Sequence, residues 1–190
     1  PQLSPPAGVR YYDGDGFGTS TKESDMSEAF DIAIIGGGPG GYSTALRAAE
    51  LGKRVAMIER DATLGGTCLN RGCIPSKALI SATHAIDSIR YAGELGISAT
   101  INGIDYGTLH DYKKRIVDTM TQGLAGLLAH RGVTVFRGVA SITGAARPIT
   151  VHIAAPADGQ GVQRSVRSDV PEDIGPSYDI TAQDVVLAMG

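Results

Sequence analysis

The sequence predicts an α/β domain built around a central parallel sheet, and three observations favour this class. A short apolar run at 30–35 ends in a glycine-rich segment at 36–41, and small and apolar residues suited to a helix follow at 42–51. A second apolar run occupies 54–59, so that strand, helix and strand fit within about thirty residues, as in a βαβ unit. Both runs lack strict polar alternation, which is typical of parallel strands covered on both faces.

We expect the domain to span residues 30–190 and to follow residues 1–29, which are predicted to be a flexible tail or a leader that is not native to the protein. The tail is rich in Pro, Gly, Asp, Ser and Thr, and its scattered apolar residues are too few to bury a core. The chain has 190 residues, 42% of them hydrophobic, which is enough for one core without help from disulfides or metal ions.

Two further helices and a small antiparallel meander are expected. Pro75 suits the first turn of a helix that runs to about Tyr91, and apolar residues recur at helical spacing, as core positions, in a second helix at 105–129. The Pro- and Gly-rich segment 155–177 is predicted to be a mobile loop. Short strands are predicted on either side of it, at 133–136, 139–143, 149–154, 178–181 and 184–190.

Composition excludes several function classes. The formal net charge is −3, and no basic patch is present that would attract nucleic acid or an anionic membrane surface. No apolar run approaches the roughly 20 residues of a membrane span, and the absence of a basic and then apolar start leads us to expect no signal peptide. Two cysteines are too few for a secreted disulfide scaffold, so their function must be inferred from their positions in the sequence.

The glycine-rich segment carries the G-x-G-x-x-G fingerprint of a dinucleotide site in a Rossmann-like domain. Gly36 allows a tight turn, Gly38 lets the backbone approach a pyrophosphate, and Gly41 lets the helix pack closely on the strand. The start of the helix offers free N–H groups to the phosphates. Glu59, at the end of the second strand, suits the ribose hydroxyls and would repel a 2′-phosphate. The motif does not distinguish FAD from NAD.

Cys68 and Cys73, separated by four residues, are compatible with three kinds of site. They can form half of a zinc site, although no second cysteine pair is present and the four histidines are scattered. They can be inert buried thiols, or they can form a redox-active disulfide. A disulfide requires a bend, which Gly72 and Pro75 permit, because residues five apart in a straight helix rise about 7.5 Å. We predict no metal site.

The segment Gly65–Lys77, GGTCLNRGCIPSK, resembles the flavoprotein disulfide reductases, and the likeness extends from Phe30 to Gly190. Within that family it is most similar to the branch that oxidises dihydrolipoyl groups. Leu69, Ile74 and Ser76, together with the segment 121–128, carry this closer likeness. Mercuric reductases are close competitors.

The resemblance implies a Rossmann-like FAD-binding domain with a redox-active Cys68–Cys73 disulfide. Cys68 would be the outer thiol that exchanges with substrate, and Cys73 would lie against the flavin. Lys77 would reach the flavin ring, and Ala140 would offer its backbone to the adenine. The cofactor-binding residues implied in this way are Gly36, Gly38, Pro39, Gly41, Glu59, Arg60, Gly66, Thr67, Lys77 and Ala140.

The activity implied by the resemblance is FAD-dependent oxidation of protein-bound dihydrolipoyl groups, with NAD⁺ as acceptor. The implied partners are a second subunit of a homodimer and the lipoyl-bearing acyltransferase of a 2-oxoacid dehydrogenase complex. The implied location is the bacterial cytoplasm or, in a eukaryote, the mitochondrial matrix. The alternatives are a mercuric or other disulfide reductase of the same family, or a nucleotide-binding module without turnover.

The chain also departs from the family's pattern. It has no second glycine fingerprint for NAD and no His-x-x-x-x-Glu pair, and we expect the interface domain of the family to be missing from it. We therefore expect it to be the FAD-domain portion of a larger enzyme and to be inactive toward NAD⁺ by itself. Arg71 stands where valine is usual, which places a cation between the two cysteines.

Overall fold

A computed structural model describes residues 28–166 and 171–190, and eight strands within them form one sheet in the order β4-β5-β8-β1-β2-β3-β6-β7. The strands are β1 (Glu28–Ile35), β2 (Val55–Glu59), β3 (Thr134–Arg137), β4 (Val139–Gly144), β5 (Ile149–Ala154), β6 (Gln163–Ser165), β7 (Glu172–Asp173) and β8 (Ser177–Leu187). The helices are α1 (Pro39–Glu50), α2 (Gly66–Asn70), α3 (Cys73–Ala92) and α4 (Tyr106–His130), and a 3₁₀ turn (Gly93–Leu95) follows α3.

The predicted α/β class is confirmed, because the centre of the sheet consists of four parallel strands. β1 pairs in parallel with β2 on one side and with β8 on the other, and β2 pairs in parallel with β3. β1 begins at Glu28, two residues inside the predicted tail. The rest of that predicted tail, residues 1–27, lies outside the described residues.

The predicted antiparallel meander is present as β4, β5 and β8. β5 pairs antiparallel with both of its neighbours. The two strands predicted at 178–181 and 184–190 are one strand of 11 residues, β8, because β1 pairs with it from Ile180 to Leu187.

The prediction of a mobile loop at 155–177 is wrong in part, because two short strands, β6 and β7, lie within it. β6 extends the sheet by pairing antiparallel with β3, and β7 pairs with β6. Val162 is fully buried against the core, and Arg164 makes two 3.0 Å hydrogen bonds to the Glu28 carboxylate of β1. Covering the edge of β3 satisfies backbone groups that a free edge would expose. Residues 167–170 lie outside the described residues.

The two predicted helices form an excursion between β2 and β3, with shifted boundaries. α3 begins at Cys73, two residues before the predicted start. α4 begins one residue after Asp105, whose carboxylate caps it by accepting from the N–H groups of Gly107 and Thr108. The predicted core stripe of α4 is only partly correct, since Leu124 and Leu128 are buried whereas Met120 and Leu127 are exposed.

The core lies on both faces of the sheet because neighbouring side chains of a strand point to opposite faces. On one face, α1 and α4 pack against Ile34 and Met57. On the other, Phe30 and Phe136 pack with Val162 and with residues of β5 and β8. The carboxyl ends of β1, β2, β3 and β8 therefore meet at one edge, which is where ligands bind in open parallel sheets.

We predict that Val162→Ala lowers the free energy of unfolding by about 2 kcal/mol, because it removes two buried methyl groups and leaves a cavity. Val139→Ala, the same change on a side chain that is 48% exposed, should cost less than about 0.5 kcal/mol. Urea denaturation of both variants measures the difference. Equal values for the two would show that the segment before β6 does not belong to the core.

Candidate functional site

The turn between β1 and α1 is formed by glycines that no other residue could replace. Gly36 has φ of +108°, and a Cβ there would lie 2.3 Å from the carbonyl oxygen of Ala188. A Cβ on Gly41 would lie 1.8 Å from the carbonyl oxygen of Gly36. Because both contacts are to backbone atoms, no side-chain movement relieves them, and the helix sits directly against the strand end.

The start of α1 is open to an anion. Gly38 is the N-cap residue, and no side chain in the described part of the chain caps the helix. The N–H groups of the first turn are therefore free to bind an acceptor, and the positive end of the helix dipole favours a negatively charged one. A phosphate at this position would meet both conditions.

Glu59 is held at the end of β2 by two backbone donors. Its Oε2 accepts from the N–H of Gly37 at 2.7 Å, and its Oε1 accepts from the N–H of Asp61 at 2.9 Å. The carboxylate therefore joins the glycine turn to the segment that follows β2. Each oxygen has a second lone pair, so the group can still accept from ribose hydroxyls.

The two cysteines lie on either side of a helix break. Cys68 is in the middle of α2, and Cys73 is the first residue of α3. Gly72 fits the break because its backbone approaches Thr67, whose carbonyl oxygen would lie 3.1 Å from an added Cβ. Both cysteines are free thiols, Cys73 being exposed and Cys68 half-buried.

Asn70 fastens the short helix that carries Cys68. Its amide donates to the carbonyl oxygens of Leu64 and Gly66 at 3.1 and 3.0 Å, and its carbonyl accepts from the Thr63 hydroxyl at 2.8 Å. These bonds stabilise a helix of only five residues, which is too short to be stable by itself.

The pKa of Cys68 is raised above that of an ordinary thiol. The main cause is a side-chain hydrogen bond with Cys73, followed by burial and by the negative charge that Cys73 can carry. The backbone N–H of Cys73 and the positive charge of Lys77 act in the opposite direction. The two thiols therefore share a proton-bearing contact in which Cys68 keeps the proton more firmly than a free cysteine does.

A cleft of about 780 Å³ opens at the carboxyl ends of the central strands. The structure brings most of the predicted site residues together in its wall: Gly36, Gly38, Pro39, Glu59, Arg60, Gly66, Thr67, Cys68, Cys73 and Ala140. Gly41 lies behind the wall, where it supports the turn. Lys77 is exposed on α3, one turn after Cys73, and does not line the cleft.

Several cleft residues were missed by sequence reasoning. Asp61, Gly138 and Met189 line the cleft, and the sequence pattern predicted a role in it for none of them. Arg71, which the sequence analysis noted only as a departure from the family's pattern, also lines the cleft and forms an ion pair with Asp61 at 2.6 Å. The one signal that could have found Gly138 and Met189 is their position just after β3 and β8, whose carboxyl ends lie beside that of β1.

The cleft fits a dinucleotide. It combines an uncapped helix start for a pyrophosphate, a carboxylate for ribose hydroxyls and a volume within the range of cofactor sites. The backbone of Gly66 comes close to Gly38, whose Cα would lie 2.9 Å from an added Cβ, so the wall has no side chains at that point. The dithiol completes the same cleft.

Comparison with known families gives one match over most of the chain. The profile of the pyridine nucleotide-disulphide oxidoreductases matches residues 30–190. The chain belongs to this family. Its members are oxidoreductases, and membership implies flavin and nicotinamide as cofactors. The resemblance drawn from the cysteine segment is thereby confirmed.

Comparison with individual curated proteins shows which members of the family this chain is similar to. The chain is 46% identical over 110 residues to a dihydrolipoyl dehydrogenase of Bacillus subtilis, covering 58% of this chain and 23% of that protein. It is 42% identical over 137 residues to a dihydrolipoyl dehydrogenase of Halobacterium salinarum, covering 72% and 28%. For the mitochondrial dihydrolipoyl dehydrogenase of Dictyostelium discoideum the identity is 39% over 128 residues, covering 67% and 26%. The chain thus spans about a quarter of the length of these curated relatives.

Two negative findings concern the described residues alone. Within 28–166 and 171–190, no helix is both long and apolar enough to cross a membrane. Over the same ranges, His, Cys, Asp and Glu side chains form no group of three or more that could hold a metal ion.

We predict that Gly41→Ala lowers the free energy of unfolding by about 3 kcal/mol, because its methyl group overlaps the Gly36 carbonyl and forces the helix away from the strand. Gly40→Ala is the matched control, since its Cβ has no neighbour closer than 4.0 Å and alanine favours a helix by up to about 1 kcal/mol. Thermal and urea denaturation compare the two. A Gly41→Ala variant as stable as the control would contradict the close approach.

We also predict that Cys68 reacts with iodoacetamide at a higher pH than an ordinary thiol. Its raised pKa keeps it protonated, and so unreactive, over a pH range in which a free cysteine ionises. Cys73→Ala removes the main cause and should shift the rate profile to lower pH, whereas Cys73→Ser keeps a hydroxyl in place and should shift it less. Mass spectrometry of the alkylated peptide gives the profile. Identical profiles in all three proteins would show that the thiols do not interact.

Proposed function

We propose that this chain is the FAD-binding and dithiol-bearing part of a dihydrolipoyl dehydrogenase. The observation that carries the proposal is that one cleft contains the glycine turn, the carboxylate of Glu59 and both cysteines. The names of the relatives support the same reading. A site that binds a nucleotide without catalysing a reaction would not require two neighbouring thiols in its wall.

The residues that would hold FAD are those of the cleft wall. The N–H groups at the start of α1 would bind the pyrophosphate, Gly36 and Gly38 would let it approach, and Glu59 would bind the ribose. Pro39, Arg60, Gly66, Thr67 and Ala140 line the same wall. When bound, FAD would accept two electrons from the dithiol and pass them to NAD⁺ as a hydride.

The chain's own chemistry is thiol–disulfide exchange. In the oxidised chain, a thiolate of the dihydrolipoyl group attacks the sulfur of Cys68, breaks the Cys68–Cys73 bond and releases Cys73 as a thiolate. The second substrate thiolate then attacks the substrate sulfur of the mixed disulfide, which forms the lipoyl disulfide and releases Cys68. The substrate loses two electrons, which the reduced cysteine pair gains.

The raised pKa of Cys68 determines which sulfur of the reduced pair holds a proton. Cys68 takes up a proton when it is released, and its hydrogen bond to Cys73 holds that proton between the two sulfurs. Cys68 is therefore the thiol of the reduced pair that stays protonated at a pH where a free cysteine ionises. Lys77, whose positive charge partly offsets the rise in the pKa of Cys68, lies on α3 outside the cleft wall and would reach the flavin ring from there.

The remaining parts of the reaction concern the whole protein. NAD⁺ would bind in a segment outside this chain, since the relatives are about four times as long as the matched region. The whole protein would act as a homodimer, would receive its substrate from the lipoyl-bearing acyltransferase of a 2-oxoacid dehydrogenase complex, and would be located in the bacterial cytoplasm or the mitochondrial matrix.

The test is a visible absorption spectrum of the purified chain with FAD, recorded without oxygen before and after adding dihydrolipoamide. We expect a flavin spectrum that gains a long-wavelength charge-transfer band on reduction, because Cys73 would lie against the flavin as a thiolate. Cys73→Ser should abolish the band, and Cys68→Ser should show it before any reductant is added, since its Cys73 has no disulfide partner.

Two outcomes would contradict the proposal. Failure to retain FAD would show that the cleft is not a flavin site. A flavin spectrum with no charge-transfer band in any of these proteins would show that the dithiol does not face the flavin. Ser43→Ala is a suitable control, because Ser43 is an exposed residue of α1 that does not line the cleft.

A further inference from the structure

Arg71 lies in the turn between the two cysteines, and its side chain extends from that turn to the segment that follows β2. Its backbone N–H donates to the carbonyl oxygen of Thr67 at 2.9 Å, which fixes the end of α2. Its guanidinium Nη2 lies 2.6 Å from Oδ2 of Asp61, in the segment that follows β2. The ion pair therefore joins two stretches of chain ten residues apart, and both partners line the cleft.

Asp61 is connected in turn to the glycine turn. Its N–H donates to one oxygen of Glu59, and the other oxygen of Glu59 accepts from the N–H of Gly37. A continuous series of polar contacts thus runs from the glycine turn, through Glu59 and Asp61, to Arg71. No residue motif predicts this series, because it depends on where the segment after β2 lies relative to α2.

We propose that Arg71 and Asp61 are a positioning pair that holds the cysteine turn at a fixed place relative to Glu59. This inference rests on the proposed function for the identity of the ligand, FAD. The guanidinium of Arg71 is paired with the carboxylate of Asp61, and the hydrogen-bond partner of the Cys68 thiol is Cys73. The Arg71–Asp61 pair sets the spacing between the part of the cleft that binds the nucleotide and the part that carries the dithiol, so the two parts meet a bound flavin together.

A direct effect of Arg71 on the thiols is the alternative, and the structure argues against it. The cation that lowers the pKa of Cys68 is Lys77, whereas the charge of Arg71 is balanced by Asp61 at 2.6 Å. The side chains of Arg71 and Asp61 are 62% and 31% exposed, so water and salt screen the pair. A partly exposed ion pair changes an equilibrium by up to about fivefold, which sets the size of the expected effect.

The first experiment measures FAD affinity by quenching of flavin fluorescence in Arg71→Ala, Asp61→Ala and the double variant. We expect each single change to weaken binding about two- to fivefold at low salt, and the double variant to be no weaker, because either change breaks the Arg71–Asp61 pair. Asp61 also faces Arg60, but that contact is 3.9 Å long and the Arg60 side chain is 76% exposed, so its loss should add no measurable effect. At about 1 M salt, where the screening length is about 3 Å, the FAD affinities of the variants should approach the affinity of the unchanged chain. Arg71→Lys should retain most of the affinity.

Arg47→Ala is the matched control for this series. Arg47 forms a similar exposed ion pair with Glu50, at 2.8 Å, but it lies near the end of α1 and does not line the cleft. Its loss should leave FAD affinity unchanged at both salt concentrations.

The second experiment needs no flavin. Amide hydrogen exchange of the segment 66–73 should be about two- to fivefold faster in Asp61→Ala than in the unchanged chain, although the substitution lies outside that segment. The exchange of the same segment should be unaffected in Arg47→Ala. The pH profile of Cys68 alkylation should be unchanged in Arg71→Ala, because Arg71 acts through position rather than through charge on the thiol.

Each of four results would overturn the proposal. The first is an FAD affinity in Arg71→Ala equal to that of the unchanged chain, and the second is weaker FAD binding in Arg71→Ala together with tighter binding in Asp61→Ala. The third is a double variant whose loss of FAD affinity is the sum of the two single losses. The fourth is an unchanged rate of amide exchange of the segment 66–73 in Asp61→Ala. The second result would mean that Arg71 contacts the ligand directly. If the unchanged chain binds no FAD, the proposed function fails, while the exchange experiment still decides whether the pair holds the cysteine turn.

Discussion

The cleft depends on one close approach between backbone atoms, that of α1 to the end of β1. Because Gly41 has no Cβ, the helix lies directly against the carbonyl of Gly36, and the positive φ of Gly36 turns the chain into that helix. Any side chain at either position would push the helix start away from the strands. The open N–H groups of α1, the carboxylate of Glu59 and the cysteine turn would then no longer face one space.

From this turn the site extends through backbone hydrogen bonds between strand ends. Gly36 donates to Ile58 at the end of β2, Gly138 donates to Glu59, and Ala188 donates to Ile35. The ends of four strands are thereby fixed relative to one another, and Glu59 adds side-chain contacts to the same framework. The cysteine turn is held to this framework by the buried side chain of Leu69 and, at the surface, by polar contacts such as the Arg71–Asp61 ion pair.

Much of the fold was predictable because it depends on local pattern. Apolar runs mark buried strands, glycines mark the turn, and Asp105 marks the start of α4 within one residue. The segment 155–177 was mispredicted because its Pro- and Gly-rich composition conceals Val162, whose burial depends on a core formed by distant strands. The exposed residues Met120 and Leu127 of α4 show the converse, since apolar spacing predicts a helix face without showing what covers it.

The sequence by itself determined the class of the domain, its family and the identity of the glycines, the acidic residue and the two cysteines. These follow from residue types at fixed spacing, where steric and chemical requirements leave few alternatives. Only the tertiary structure decided that Arg71 meets Asp61, that Lys77 lies outside the cleft wall, and that residues after β3 and β8 complete it. Such contacts join residues that are far apart in the chain or on separate turns, and their distances depend on how whole elements pack.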